Sequence, residues 1–251
     1  MKLQHIAIIA KEVDPFIIGE IKRNYPLCEL IVVTPSTKSL IQTEIKSYED
    51  SFFLSRDEII RKIKHPHPLW IYQQLLKYQV VLMSDFENTL ILDGDSLIKA
   101  NKFLKNNHLF YTRKKIEQKY NRLVLSSFGS EYTTTRNYIT NQMNFNKNIL
   151  MGMISCMTGS LDNWVATMIE LVNCNPHAEF SEYQLYATWA RKNAITHESL
   201  IRIFRRMDLV SDTTKNALEK YDLVAYENFH KRGFARTARA NLCYRLNIGL
   251  G

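Results

Sequence analysis

Short apolar runs separated by turn signals predict alternating strands and helices at the start of the chain. His5–Ala10 and Leu30–Thr34 are almost wholly apolar, which is typical of buried strands. Between them, Asp14 followed by Pro15 predicts the beginning of a helix that ends near residue 24. A strand, a helix and a second strand in this order predict a βαβ unit with a parallel sheet.

The later pattern predicts further elements. Ser55 begins a capping box, so we expect a helix that starts there and runs to about residue 64. The prolines beside His65 and His67 should end this helix. The other predicted helices are 69–80, 146–157, 161–172, one that begins after Ser181, and 196–207. The other predicted strands are 90–93, 109–111 and 223–226. We predict a basic helix or loop at residues 113–122. At residues 123–144 we predict loops and short strands that shape a variable pocket.

Two carboxylates follow the strand predicted at residues 90–93. This strand ends in Asp93-Gly94-Asp95. A turn at Gly94 would let the two carboxylates converge, and their repulsion would then require a cation or a shared proton. Oxygen ligands favour Mg²⁺ or Mn²⁺, which keep waters and bind substrate phosphates. The alternative is a simple turn after a core strand.

A polar stripe lies on the helix predicted at 69–80. Trp70, Gln73, Gln74 and Lys77 recur at spacings of three and four residues, so they share one helical face. Such a face either contacts a ligand or is the solvated side of a surface helix. The spacing alone does not separate these two interpretations.

A second capping box places a carboxylate at a helix start. Ser181 and Gln184 have the spacing of this motif, so Glu182 falls in the first helical turn. The helix dipole favours a carboxylate there by about 0.3–1 kcal/mol. The alternative is a functional one, in which Glu182 is a base or an orienting acid at the mouth of a site.

Composition narrows the class of protein. Of 251 residues, 45% are hydrophobic and 23% charged, which is ordinary for a globular protein with a sizeable core. The net charge of +8 favours a polyanionic partner, such as nucleic acid, nucleotide phosphates or an anionic membrane. The 4 cysteines lack Cys-x-x-Cys spacing, so we expect free thiols in a reducing cytoplasm. Every apolar run is too short for a membrane span, so we expect a soluble protein.

The end of the chain is basic. No acidic residue follows Glu227, and five cations are interleaved with aromatic and aliphatic residues. Such a tail either holds a diphosphate, lies on an anionic membrane or is a disordered basic end.

Four stretches together resemble a family of bacterial glycosyltransferase-like proteins with the GT-A fold. They are Trp70–Lys77, the Asp-x-Asp strand end Leu90–Asp95, Met143–Leu150 and the Phe-Ser-Glu-Tyr stretch Phe180–Tyr186. The resemblance implies one GT-A-like α/β domain, with a Rossmann-type mixed sheet flanked by helices. It also implies a nucleotide-sugar-binding half at about 1–107 and an acceptor-binding half at about 108–251.

The resemblance also implies a metal site and a donor site. Asp93, Asp95 and His230 would hold Mn²⁺ or Mg²⁺, which bridges the donor's two phosphates. The residues expected to contact the nucleotide-sugar donor are Asp14, Gln73, Gln74, Lys77, Gly94, Lys231 and Arg232.

Acceptor roles follow from the same resemblance. Glu182 would be the general base of an inverting reaction, or would position the acceptor in a retaining one. Gln142, Ser181 and Tyr183 would contact the acceptor. The family often has a histidine just before the Met-x-Phe element, whereas this chain has Asn141 and Gln142 there.

The function implied is metal-dependent transfer of a sugar to a cell-surface glycan, such as lipopolysaccharide or capsule, from the cytoplasmic side. The partners would be the donor, a glycan or lipid-linked glycan acceptor and an anionic membrane surface; nucleic acid is not expected. One rival is a haloacid-dehalogenase-type phosphatase, whose nucleophile motif Asp93–Ser96 matches. The others are a nucleotidyltransferase, which usually has a glycine-rich loop after the first strand, and a basic nucleic-acid- or membrane-binding module.

Overall fold

The computed structural model describes residues 5–11, 13–35, 46–98, 107–206, 217 and 219–226. The strands are β1 (His5–Ile9), β2 (Glu29–Thr34), β3 (Lys46–Glu49), β4 (Asn88–Asp93), β5 (Ser96–Ile98), β6 (His108–Tyr111), β7 (Gln142–Asn146), β8 (His197–Leu200), β9 (Ile203–Arg206) and β10 (Leu223–Tyr226). The helices are α1 (Pro15–Asn24), α2 (Arg56–Lys62), α3 (Pro68–Met83), α4 (Gln118–Phe128), α5 (Lys147–Thr158), α6 (Trp164–Cys174) and α7 (Glu182–Asn193).

A five-stranded sheet in the order β3-β2-β1-β4-β7 forms the centre of the structure. Strands β3, β2, β1 and β4 are parallel, and β7 runs antiparallel to β4. Two smaller sheets, β5-β10-β9 and β6-β8, lie beside it. The predicted βαβ unit is present as β1-α1-β2, and the predicted Rossmann-type mixed sheet flanked by helices is confirmed.

Alternate residues of the central strands enter two different hydrophobic cores. On β1, Ala7 and Ile9 pack in the core that contains α3, α5, α6 and α7. Ile6 and Ile8 pack in the other core, with α1, β5 and β10. A parallel strand covered on both faces needs apolar residues at every position, which explains the unbroken apolar runs in β1, β2 and β4. Polar side chains are therefore left to the ends of these strands.

The prediction of a helix over residues 196–207 is wrong. Residues 197–200 form β8, which pairs in parallel with β6, and residues 203–206 form β9, which pairs in parallel with β10. The β-branched residues Ile195, Thr196, Ile201 and Ile203 favour strands. Pairing with distant strands therefore outweighs the weak helical spacing of the arginines in this region.

The prediction of loops from residue 123 is also wrong over its first part. Helix α4 continues to Phe128 and ends at Gly129, which has a φ of 98°. The buried residues of this helix are Leu123 and Val124. The apolar stripe is therefore too short for its helical periodicity to be recognised among the polar residues around it. Strand β7 lies at the end of the predicted loop region. At Ser55, helix α2 begins as expected, but the side chain makes no capping hydrogen bond with the described residues.

Two helix starts have the predicted capping residues. Asp14 Oδ1 accepts a hydrogen bond from the Phe16 amide at 2.8 Å, and Ser181 Oγ accepts one from the Gln184 amide at 3.3 Å. None of the helices in the described part of the chain has the length and apolar character needed to cross a membrane.

The Asp14 cap generates a test of stability. Replacing Asp14 by Ala removes the acceptor for an amide of the first turn of α1, so the free energy of unfolding should fall by about 1 kcal/mol. Asp14→Asn keeps an acceptor and should stay within a few tenths of a kcal/mol of the wild type. Urea unfolding measures both variants, and equal stabilities of the Ala and Asn variants would contradict the capping role.

Candidate active site

The carboxyl ends of β1, β2 and β4 open into a cleft of about 810 Å³. Parallel strands bring their carboxyl ends to one edge of the sheet, and ligands of open α/β proteins bind at this edge. The volume is typical of a small-molecule site. The predicted site residues that line the cleft are Gln73, Gln74, Lys77, Asp93, Gly94, Asp95, Ser181, Glu182 and Tyr183.

Lys77 is at the centre of the polar contacts in this cleft. Its Nζ donates hydrogen bonds to Asp93 Oδ1 and to Glu182 Oε1, each at 2.6 Å. The Lys77 and Glu182 side chains are 3% and 2% exposed, whereas the Asp93 side chain is 24% exposed. The Tyr183 hydroxyl lies 3.2 Å from Lys77 Nζ and donates to Asp93 Oδ1 at 3.2 Å. These contacts join α3, the end of β4 and the start of α7.

Local structure presents the α7 residues to this cluster. Ser181 caps the helix, so Glu182 begins the first turn beside the end of β4. Tyr78, the residue after Lys77 on α3, donates its hydroxyl to the backbone oxygen of Glu182 at 2.8 Å. The side chain of Gln184 does not bond back to Ser181, as it would in a complete capping box. Its side-chain amide bonds instead to the backbone of residues 136 and 138. Helix α7 is therefore anchored both to α3 and to the segment 136–138.

Burial and charge act in opposite directions on the cluster. Burial lowers the pKa of Lys77, but the charges of Asp93 and Glu182 outweigh this effect and raise the pKa, so Lys77 is a charged ammonium. Burial raises the pKa of Glu182, and Lys77 opposes that rise. Burial likewise raises the pKa of the Tyr183 hydroxyl well above its ordinary range. Tyr183 is therefore neutral and acts as a hydrogen-bond donor.

Among the described residues, Asp93 forms an ion pair with Lys77, whereas Asp95 forms none. Gly94 and Asp95 form the predicted turn between β4 and β5, and Asp95 Oδ1 accepts a hydrogen bond from Ser96 Oγ at 3.2 Å. Burial, and then the nearby charge of Asp93, raise the pKa of Asp95 to about 6. The ionised Asp95 carboxylate is therefore a group that a bound cation would stabilise.

The donor set fits a divalent ion that a substrate helps to hold. Mg²⁺ and Mn²⁺ are commonly bound by one or two carboxylates, with water and phosphate oxygens completing the shell. Asp93 and Asp95 supply two carboxylates in the cleft. Within the part of the chain that the structure describes, no group of three or more His, Cys, Asp or Glu side chains is arranged to hold a metal ion by itself. His230, Lys231 and Arg232 lie outside the described residues.

The predicted donor-binding residues have different environments. Gln73 Nε2 donates to the backbone oxygen of Ile9 at 3.2 Å. Gln74 is 3% exposed and bonds to the backbone oxygen of Trp70 and to Lys77. The polar stripe on α3 is thus partly buried rather than solvated. Asp14 is not among the residues that line the cleft.

Gln142, predicted to contact the acceptor, is buried on β7. Its side chain is 0% exposed, and both amide atoms have no hydrogen-bond partner among the described residues. It does not line the cleft. Its acceptor role stays a prediction.

Sequence reasoning missed several residues of the cleft. Lys11, Asp50, Arg56 and Tyr72 line the cleft as well. Asp50 is 5% exposed, and burial raises the pKa of its carboxyl. It follows β3, an edge strand whose residues Lys46–Glu49 are too polar to stand out as a strand. The sequence signal for this part of the cleft was weak: the carboxylate of Asp50 directly follows the amphipathic tetrapeptide Lys46–Glu49.

No protein-family model and no curated protein matches the chain. Among solved structures, glucosyl-3-phosphoglycerate synthase from Mycobacterium tuberculosis, in complex with Mn²⁺, UDP-glucose and phosphoglyceric acid, is similar at a TM-score of 0.41 and 11% identity, over 100% of this chain and 82% of that chain. A putative glucose-1-phosphate thymidylyltransferase from Bacillus anthracis, in complex with a sucrose, is similar at a TM-score of 0.43 and 8% identity. This match covers 99% of this chain and 97% of that chain. The glycosyltransferase GlyE of Streptococcus pneumoniae is similar at a TM-score of 0.38 and 11% identity, over 98% of this chain and 64% of that chain. These values are too low to transfer a residue role.

The raised pKa of Asp95 predicts a pH-dependent stability. Its ordinary pKa of 3.8 rises to about 6 on folding, so the metal-free protein loses stability as the pH rises between these values. Asp95→Asn should therefore be more stable than the wild type near pH 8, by about 1–2 kcal/mol after allowing for partial exposure. The difference should vanish near pH 4. Denaturant unfolding at both pH values measures it.

Asp85→Asn is the matched control for this test, because Asp85 is exposed just before the opposite end of β4. A gain for Asp95→Asn that is the same at both pH values would contradict the titration of Asp95.

The buried amide of Gln142 generates a second test. Gln142→Met removes polar atoms that lack partners, so stability should be unchanged or raised by about 1 kcal/mol. Gln184→Met is the matched control: Gln184 is 1% exposed, and its amide makes hydrogen bonds of 3.1 and 3.2 Å, so stability should fall by about 1–3 kcal/mol. Urea unfolding compares the two, and similar losses would show that Gln142 has partners.

Proposed function

We propose that this chain is a metal-dependent glycosyltransferase that transfers a sugar from a nucleoside-diphosphate donor to a glycan or lipid-linked glycan. One observation carries the proposal: Asp93 and Asp95 lie together in a cleft at the carboxyl ends of parallel strands. This edge is where open α/β sheets bind nucleotides. Two carboxylates there suit a divalent ion that is shared with phosphates.

In this proposal Asp95 is the principal protein ligand of Mn²⁺ or Mg²⁺. Asp93 Oδ1 already accepts hydrogen bonds from Lys77 and Tyr183, whereas Asp95 accepts one from Ser96. When bound, the ion neutralises the charge that builds on the departing nucleoside diphosphate. His230, which lies outside the described residues, is proposed as a further ligand.

The donor would lie along the carboxyl ends of β1 and β2. Lys11, Asp50 and Arg56 line the cleft together with the two aspartates, so its volume of about 810 Å³ and its mixed polarity suit a nucleotide. Lys11 and Arg56 supply positive charge for phosphates. The proposal thus assigns nucleotide binding to about 1–107 and acceptor binding to about 108–251.

The acceptor would enter beside Ile139 and the start of α7, which also line the cleft. The predicted acceptor contacts Ser181 and Tyr183 are both engaged, since the Ser181 hydroxyl caps α7 and the Tyr183 hydroxyl bonds to Asp93. The general-base role of Glu182 stays a prediction at this point.

The proposal includes a cell-surface glycan as the product, made at the cytoplasmic face of the membrane. The acid-free stretch after Glu227 supports contact with an anionic surface or with the donor phosphates. This part of the proposal rests on charge and on the family resemblance.

A thermal-shift screen tests the function. Nucleotide sugars and Mn²⁺ together should raise the melting temperature, because a ligand that binds only the folded state stabilises it by mass action. Asp95→Ala should weaken donor binding by at least about tenfold, or about 1.4 kcal/mol. Asp85→Ala removes one exposed carboxylate outside the cleft and should bind as the wild type does.

Two results would contradict the function. The first is donor binding that is unchanged by Mn²⁺ and by Asp95→Ala. The second is release of phosphate from simple phosphomonoesters without any nucleotide-sugar binding, which would support the phosphatase alternative instead.

A further inference from the structure

We infer that Lys77 and Glu182 are positioning residues that set the charge offered to the metal ion: the Lys77 ammonium pairs with Asp93, and Glu182 pairs with Lys77 and offsets its charge. This inference rests on the proposed function and deepens it. It assigns to Glu182 a role that acts through Lys77 instead of on the acceptor.

The hydrogen bonds of Lys77 are all made within the protein. An ammonium has three N–H donors. The acceptors around Lys77 Nζ are Asp93 Oδ1 at 2.6 Å, Glu182 Oε1 at 2.6 Å, the Tyr183 hydroxyl at 3.2 Å and Gln74 Oε1 at 3.3 Å. At 3% exposure it also leaves little surface for a ligand. Lys77 therefore contacts Asp93 and not the donor phosphates.

Glu182 is placed to hold Lys77. Its side chain is 2% exposed, and within the described residues it forms an ion pair with Lys77. A general base must reach a proton on the acceptor, within about 2.6–3.2 Å. The more exposed carboxylate of the cluster is that of Asp93, at 24%. Glu182 lines the cleft but is almost fully buried there, and its carboxylate is engaged by Lys77.

The formal charges of the cluster match one divalent ion. Three carboxylates, Asp93, Asp95 and Glu182, and one ammonium, Lys77, have a net formal charge of −2. Loss of the Glu182 charge leaves −1, and loss of the Lys77 charge leaves −3. Loss of both returns the net charge to −2. Since Lys77 and Glu182 are buried and Lys77 contacts Asp93 directly, each change should alter the affinity for a divalent ion.

A Mn²⁺ titration of four proteins tests this charge balance. The free Mn²⁺ signal in electron paramagnetic resonance, with UDP present, gives each dissociation constant. Glu182→Gln should weaken Mn²⁺ binding by about tenfold, and Lys77→Met should tighten it by a similar factor. The double variant Lys77→Met/Glu182→Gln should bind within about threefold of the wild type.

The double variant keeps the test valid if Lys77→Met alone does not fold. Removing both members of a buried pair is tolerated far better than removing one. The matched controls are Lys119→Met and Glu179→Gln, which make the same charge changes in a surface ion pair of 2.9 Å that does not line the cleft. Neither control should alter the dissociation constant.

Two outcomes are distinguishable. If the wild type binds Mn²⁺ but Glu182→Gln leaves the dissociation constant unchanged and lowers only kcat, Glu182 is a base and the inference is overturned while the proposed function stands. If the wild type binds no Mn²⁺ with or without UDP, the proposed function fails and the inference fails with it.

Discussion

The buried ammonium of Lys77 is the contact on which the rest of the site depends. Removing one charged group from water costs several kcal/mol, and a buried pair offsets this cost only when its geometry is good. Here two hydrogen bonds of 2.6 Å and the Tyr183 hydroxyl meet one nitrogen. The ring of Tyr183 also lies 4.5 Å from that nitrogen. Helices α3 and α7 must therefore dock at the end of β4 together.

The parallel sheet explains why the polar residues collect at this place. Helices and smaller strands cover both faces of β1, β2 and β4, so their interiors admit apolar residues only. A polar group on such a strand is tolerated at its end, where the backbone leaves the sheet. The three carboxyl ends meet at one edge, and the cleft with Asp93 and Asp95 follows from this geometry.

The cleft contains side chains of both charges. The aspartates and Glu182 line it, and so do Lys11, Arg56 and Asp50. A metal-bound nucleoside diphosphate carries positive charge near its metal ion and negative charge along its phosphates. A cleft with groups of both signs therefore suits such a ligand better than a single small anion.

Local sequence patterns determined much of the fold by themselves. The apolar runs of β1, β2 and β4, the Asp14 and Ser181 caps and the Asp93-Gly94-Asp95 turn each depend on residues close together in the chain. Helix α4 and strands β8 and β9 could not be predicted, because their patterns are short and their partners are distant. Tertiary structure alone decided that the polar stripe on α3 is an interior one, since the partner of Lys77 lies 105 residues away on α7. Spacing within one element identifies a shared face, but only packing decides what that face contacts.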